Sequence, residues 1–173
     1  MEILILGHLV SGPAHGYEIK QRVGRSIGNQ QMLNNNVLYP ALRRFEEMGA
    51  VTSELVPQRG SPPRRVYHLT ESGLDVLRAM LEDFPPEGSQ DLTAEFNVRV
   101  GYFHLLDPEA RLRILRIRAE AVRRLIDYLR ESVGGPPDEF SYAPRLVAFL
   151  VEQAEVELRF IEQLSDEERK RPA

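Results

Sequence analysis

Between Leu112 and Val133 seven apolar side chains recur at alternating steps of three and four residues without a miss: Leu112, Leu115, Ala119, Val122, Ile126, Leu129 and Val133. This spacing puts all seven on one face of a helix whose other positions are mostly charged. Keeping each large member from water is worth roughly 1.5–3 kcal/mol, so a chain with such a stripe must cover it. Asp107-Pro108 supplies a capping residue and a proline at the first helical position, and Gly134-Gly135-Pro136-Pro137 ends the run. The last helix repeats the alternation in Val147, Val151, Ala154, Leu158 and Ile161 and ends in a charged tail, Asp166 to Arg171. It can fold back as an antiparallel partner. Leu125, Leu146, Phe149 and Leu150 widen the apolar faces beyond a two-stranded seam, so a second copy of the chain is the simplest further cover. The alternative cover is the chain's own N-terminal half. The expected dimerisation residues are Leu112 to Leu129 of the first stripe and Val147 to Ile161 of the second.

The first half reads differently, as short elements. Ile3, Leu4, Leu6, Leu9 and Val10 are too dense for an alternating strand and predict a short buried helix stopped by Ser11-Gly12-Pro13. Tyr17, Ile19, Lys20 and Val23 follow helical spacing as far as Gly24 or Gly28. Asn34, Asn35 and Asn36 offer caps for a third helix, on which Leu38, Leu42 and Phe45 share one face, with Pro40 near the first turn and Gly49 as the stop. Two β-prone runs, from Val51 to Val56 and from Arg64 to Leu69, flank a Gly/Pro/Ser turn and predict a hairpin with a long tip. Thr70 to Gly73 then opens a helix striped by Leu74, Leu77 and Leu81. Pro85 to Ser89 reads as a linker, and from Leu92 to Leu106 the pattern is again helical, with Phe96, Val100 and Phe103 apolar. The expected fold is mainly α: a winged helix-turn-helix domain over 1–84, a linker over 85–91 and a helical, coiled-coil-like dimerisation domain over 92–173.

Charge separates the halves in the same way. Residues 20–65 hold Lys20, Arg22, Arg25, Arg43, Arg44, Arg59, Arg64 and Arg65 against three acids, Glu46, Glu47 and Glu54, inside a chain of net charge −4. Screening over about 8–10 Å lets such a face act alone on a polyanion. In a winged helix-turn-helix the second helix braces the third, the third enters the major groove and the hairpin tip follows the phosphates. Asn36, Tyr39 and Arg43 lie opposite the inward face of the third helix; Asn suits adenine, Arg guanine, and Tyr a phosphate. Arg59, Ser61, Arg64 and Arg65 surround the tip. Asn34 to Asn36 also have the plainer reading of caps. Double-stranded DNA is therefore the expected partner; a winged-helix adaptor that binds another protein is the alternative.

Three ordered strings resemble the PadR-type transcriptional regulators: Gly12-Pro13-Ala14-His15-Gly16-Tyr17-Glu18-Ile19-Lys20, then Val37 to Val51 (VLYPALRRFEEMGAV), then Pro62 to Gly73 (PPRRVYHLTESG). The resemblance implies a homodimeric, sequence-specific DNA-binding regulator, usually a repressor released by a small molecule or other signal. It implies that Tyr39, Arg43, Arg44, Arg64 and Arg65 lie near DNA. The Asn-rich entry to the third helix departs from the Ser or Gly usual there and leaves the target sequence open. The chain begins almost directly with its first helix, so the longer N-terminal arm of some relatives is not expected.

An enzyme is not expected. His8, His15, His68 and His104 lack metal-ligand spacing, the zincin, nucleophile-elbow and phosphate-loop motifs are missing, and there is no Cys for a disulfide, thiolate zinc site or nucleophile. No metal or cofactor is expected, and no apolar run approaches the ~18 residues of a membrane span. A soluble cytoplasmic protein is the expectation. Phe96, Tyr102, Phe103, Phe140, Tyr142 and Phe149 either line an apolar effector cavity or form core.

Overall fold

The computed structural model describes residues 1–26, 33–58, 61–84, 92–131 and 142–171. The chain packs as two units, Met1–Asp83 and Phe84–Ala173. The first contains α1 (Glu2–Val10), β1 (Ala14–His15), α2 (Gly16–Ser26), α3 (Asn35–Glu47), β2 (Val51–Gln58), β3 (Ser61–Leu69) and α4 (Glu71–Glu82). The second contains α5 (Leu92–Val100), a single 3-10 turn at Phe103–Leu105, α6 (Pro108–Glu131) and α7 (Ala143–Lys170). The molecule is mainly helical with one small antiparallel sheet, a winged helix-turn-helix followed by helices.

In the first unit α1 is the central element. Ile3, Leu4, Ile5, Leu6 and Leu9 are all buried, which suits a helix packed on α2, α4 and β3 together. Leu38, Ala41, Leu42 and Phe45 form the inward face of α3. That helix closes on Gly49, whose φ of +71° is the left-handed conformation a side chain resists. The Gly49 amide donates to the Glu46 carbonyl and the Ala50 amide to the Phe45 carbonyl, at 3.0 and 2.8 Å. This double bond pattern is the Schellman stop. Pro40 lies in the second turn of α3, later than the spacing predicts. Lacking an N–H, it leaves the Asn36 carbonyl without its i+4 donor, and the exposed position of both residues lets water serve instead.

The sheet has the order β1-β3-β2. Its third strand is absent from the sequence pattern because Ala14 and His15, opposite Tyr67 and Val66, are too few to show alternation. The hairpin tip is shorter than predicted. Strand pairing continues through the Gly/Pro/Ser stretch as far as Gln58 opposite Ser61, with a register shift between Val56 and Gln58 where Pro57 has no N–H to give. Pro62 and Pro63 are tolerated on β3 because β1 stops at Val66, which leaves this end of the strand without a third neighbour.

In the second unit α6 and α7 run antiparallel. Ion pairs Arg111–Glu168 and Arg118–Glu157 line one flank, and Arg123–Glu162 and Arg130–Glu155 the other. The Asp107 carboxylate caps α6 by accepting the Ala110 amide at 2.8 Å. Leu115, Ala119, Val122, Ile126, Ala154 and Ile161 are buried inside this one chain. The expected seam is therefore the core of the intramolecular hairpin, with Leu112, Leu129, Val147, Val151 and Leu158 half-buried at its edges. The surplus apolar residues stand outward: Leu125, Leu146, Phe149, Val156 and Phe160 are exposed. Val133 and the glycine-proline connection lie outside the described residues.

The aromatic group does not assemble into a cavity wall. Phe96 and Phe103 are core, Tyr102 is half-buried, Tyr142 and Phe149 are exposed, and Phe140 lies outside the described residues. Phe96 meets Phe84 edge-on at 6.4 Å and carries the Arg118 guanidinium 5.9 Å over its ring. Arg118 is almost wholly buried and satisfied. It donates to both Glu157 oxygens, at 2.6 and 2.9 Å, and to the Thr93 hydroxyl at 2.7 Å. Such a fork matches a carboxylate in geometry as well as charge.

Candidate nucleic-acid interface

The outer face of α3 follows from its inner one. With Leu38, Leu42 and Phe45 inward, Asn36, Tyr39 and Arg43 fall on the opposite side at steps of three and four, and all three are exposed. A shallow groove of about 390 Å³ runs along them, edged by Asn35, Pro40 and Arg44. Arg43 forms no ion pair among the described residues, so its guanidinium fork is available. Asn34 serves the helix itself, its side-chain oxygen accepting the Val37 amide at 3.1 Å. The plainer reading of this residue, a cap, therefore describes its side chain.

The other expected contacts divide. Arg44 is turned toward α1 and pairs with Glu2. Arg65, on β3, has Glu46 at 3.7 Å, and the same carboxylate accepts the Ser53 hydroxyl. Arg64 is exposed and forms no ion pair among the described residues; its Nη1 lies 3.3 Å from His15 Nε2. Lys20, half-buried on α2, likewise has no ion-pair partner among them. Arg59 and the side chain of Ser61 lie outside the described residues.

Three residues of the Gly12-to-Lys20 string, not among the expected DNA contacts, join this face. Because His15 is opposite Val66 in the β1–β3 ladder, its side chain shares a sheet face with Arg64, two residues along β3. Tyr17 stacks on the His15 ring, centroids 6.4 Å apart. Gly16 gives Tyr39 its place: a Cβ built there would meet the phenol oxygen and Cε1 of Tyr39 at 3.0 Å. A recess of about 290 Å³ results, lined by His15, Gly16, Tyr17, Tyr39 and the two wing arginines, with Tyr67 at its base. Burial pushes the Tyr67 phenol above its ordinary range, so it stays a neutral hydrogen-bonding group. Only the two-residue strand brings these groups together, and so short a strand leaves no periodic trace.

Known proteins resemble this chain most clearly in the same region. The sequence profile of the transcriptional regulator PadR-like family matches residues 5–79. A probable transcriptional regulator of Mycobacterium tuberculosis is 32% identical over 83 residues, which are 47% of this chain and 44% of that protein. The chain thus spans less than half the length of this curated relative. Among solved structures, a PadR family transcription regulator from hypervirulent Clostridium difficile is 31% identical, over 44% of this chain and 77% of its own, with a TM-score of 0.39. Bacillus subtilis PadR, solved in complex with operator DNA, aligns over 96% of this chain and 98% of its own at 20% identity and a TM-score of 0.46. The profile falls on the winged unit, and over residues 5–79 the chain matches the PadR-like family of transcriptional regulators.

Proposed function

We propose that the protein is a sequence-specific DNA-binding repressor that acts in the cytoplasm as a homodimer on a palindromic operator and is released by a small-molecule effector. The outward face of α3 carries this reading: Asn36, Tyr39 and Arg43 stand in line, with Arg64 of the wing beside them. With α3 in the major groove, Arg43 reads guanine and Asn36 adenine, while Arg64 and Tyr39 hold backbone phosphates. The uncovered apolar side chains of the α6–α7 hairpin support the dimer. A groove of about 630 Å³ on the same face, sharing Leu125 and Phe160 with that apolar set and completed by Leu150 with Thr93, Asn97 and Gln153 at its polar edge, is of a size to take a small molecule where two copies would meet.

A gel-shift against the DNA upstream of the protein's own gene tests the reading. Saturable binding is expected, with two protected half-sites about one helical turn, or a multiple of it, apart. Arg43→Ala should relax base preference at one position of each half-site, at a cost of roughly 1–3 kcal/mol. Failure to retain any fragment in a selection from the whole genome, alongside a stable protein partner, would replace this reading by that of an adaptor.

A further inference from the structure

His15 Nε2 and Arg64 Nη1 face each other as two hydrogen-bond donors. His15 immediately precedes α2, whose first amides have no partner within the helix. Its Nδ1 fills that need by accepting the Glu18 amide proton at 3.1 Å. A neutral imidazole has one acceptor nitrogen, so the ring carries its proton on Nε2. The group 3.3 Å from Nε2 is Arg64 Nη1, also a donor. Two N–H groups side by side are mutually repulsive, and both are satisfied by one oxygen anion placed between them.

The surroundings favour such an ion. Arg65 and the Tyr39 hydroxyl border the same recess, and among the described residues no carboxylate lines it. The neighbouring acids are engaged elsewhere: Glu18 with Arg22, Glu46 with Ser53 and Arg65, Glu54 with His68. Tyr39 also borders the groove along α3, so the recess and the outer face of that helix meet at one side chain. We propose that the recess is an oxyanion site that takes a single backbone phosphate of DNA, with His15 Nε2–H and Arg64 as its paired donors and Tyr39 closing it. This assignment rests on the DNA-binding reading above and names a contact within it: His15, a neutral donor, works beside the arginine and fixes where the wing meets the backbone.

The test uses the full-length protein and the duplex its own footprint defines, with single methylphosphonate linkages walked along each half-site. One linkage per half-site should weaken wild-type binding roughly tenfold or more, as when a charge-assisted hydrogen bond is removed. The same linkage should add nothing further in Arg64→Ala or His15→Asn. Asn keeps the cap on α2 but is too short to place a donor beside Arg64, so unchanged helicity with weakened binding is the expected result. The two variants also differ in kind. Arg64→Ala should lower the slope of log K against log salt by about 0.9 for each phosphate the side chain no longer reaches, whereas His15→Asn should leave it unchanged because a neutral donor releases no counterion. DNA binding in which no linkage couples to either residue would overturn this assignment alone. A His15 ring resonance that answers to inorganic phosphate, in a protein that binds no DNA, would overturn it together with the repressor reading.

Discussion

Gly16 shows how much a single missing methyl decides. Tyr39 lies across the start of α2 because Gly16 has no side chain to hold it off; a Cβ would come within 3.0 Å of the phenol. Contact at that distance forces a shift of a few tenths of an ångström, and the ring, 45% exposed, is free to swing outward. Gly16→Ala should therefore change stability by less than about 1 kcal/mol while weakening operator binding several-fold, since the cost falls on Tyr39's position. Paired melting and anisotropy measurements separate the two; a large drop in melting temperature with unchanged affinity would contradict it. His8 is a second case settled by surroundings. It sits in the last turn of α1, where the helix dipole favours a cation, yet burial, and then the Arg22 charge, hold its imidazole below its ordinary value. The sign follows: as pH falls through about 6.5 the unfolded chain takes this proton before the folded one, so stability is lost from there down to the lowered folded value. Melting temperature should fall between pH 7.5 and 5.5 more steeply in the wild type than in His8→Gln, and equal slopes would mean that His8 carries none of the effect. Neither behaviour is legible in the sequence, which shows a glycine and a histidine but not the rings and charges that other elements bring to them.

At the scale of elements, what a residue does to its own neighbours was readable and what a distant strand does was not. Asp107 as the cap of α6 and Gly49 as the stop of α3 act within four residues, and both appear where the pattern puts them. The two-residue β1 depends on partners more than fifty residues away, Val66 and Tyr67 of β3. The corner between α3, β2 and α4 is the sharpest instance. Thr70 caps α4 by accepting the Gly73 amide at 3.0 Å, and its hydroxyl donates back to the Gly49 and Ala50 carbonyls. This draws the first turn of α4 so close that a Cβ on Gly73 would stand 2.0 Å from the Ala50 carbonyl oxygen. Backbone cannot yield as a flexible side chain does. Gly73→Ala should cost roughly 2–4 kcal/mol in denaturant unfolding, against about 1 kcal/mol or less for Ser72→Ala on the exposed side of the same turn. Equal costs would mean that the corner opens freely.

For the whole molecule, the stripe on α6 demanded a cover without saying whose. Periodicity is the same whether the partner is the next helix or another chain, because both bury one face at 3.6 residues per turn. The structure gives that face to α7 of the same chain and leaves a second apolar set outside. Leu125 on α6 and Leu146, Phe149, Val156 and Phe160 on α7 are each more than 40% exposed. Five large apolar side chains in water forfeit several kcal/mol, and an isologous interface recovers this from both copies at once. The buried stripe holds the hairpin together, and in the proposed dimer the outer set would join two hairpins, so their variants should behave differently. Phe149→Glu combined with Phe160→Glu should yield a folded monomer by light scattering at micromolar concentration, with its helical content and melting transition retained. Operator affinity should then fall at least a hundredfold, since each winged unit has to find its half-site unaided. Val122→Asp, in the buried stripe, should unfold the hairpin itself and remove helical signal. A wild type that scatters as a monomer, or a double variant that still dimerises, would mean that the outer set serves another purpose and that the proposed dimer is not built on it.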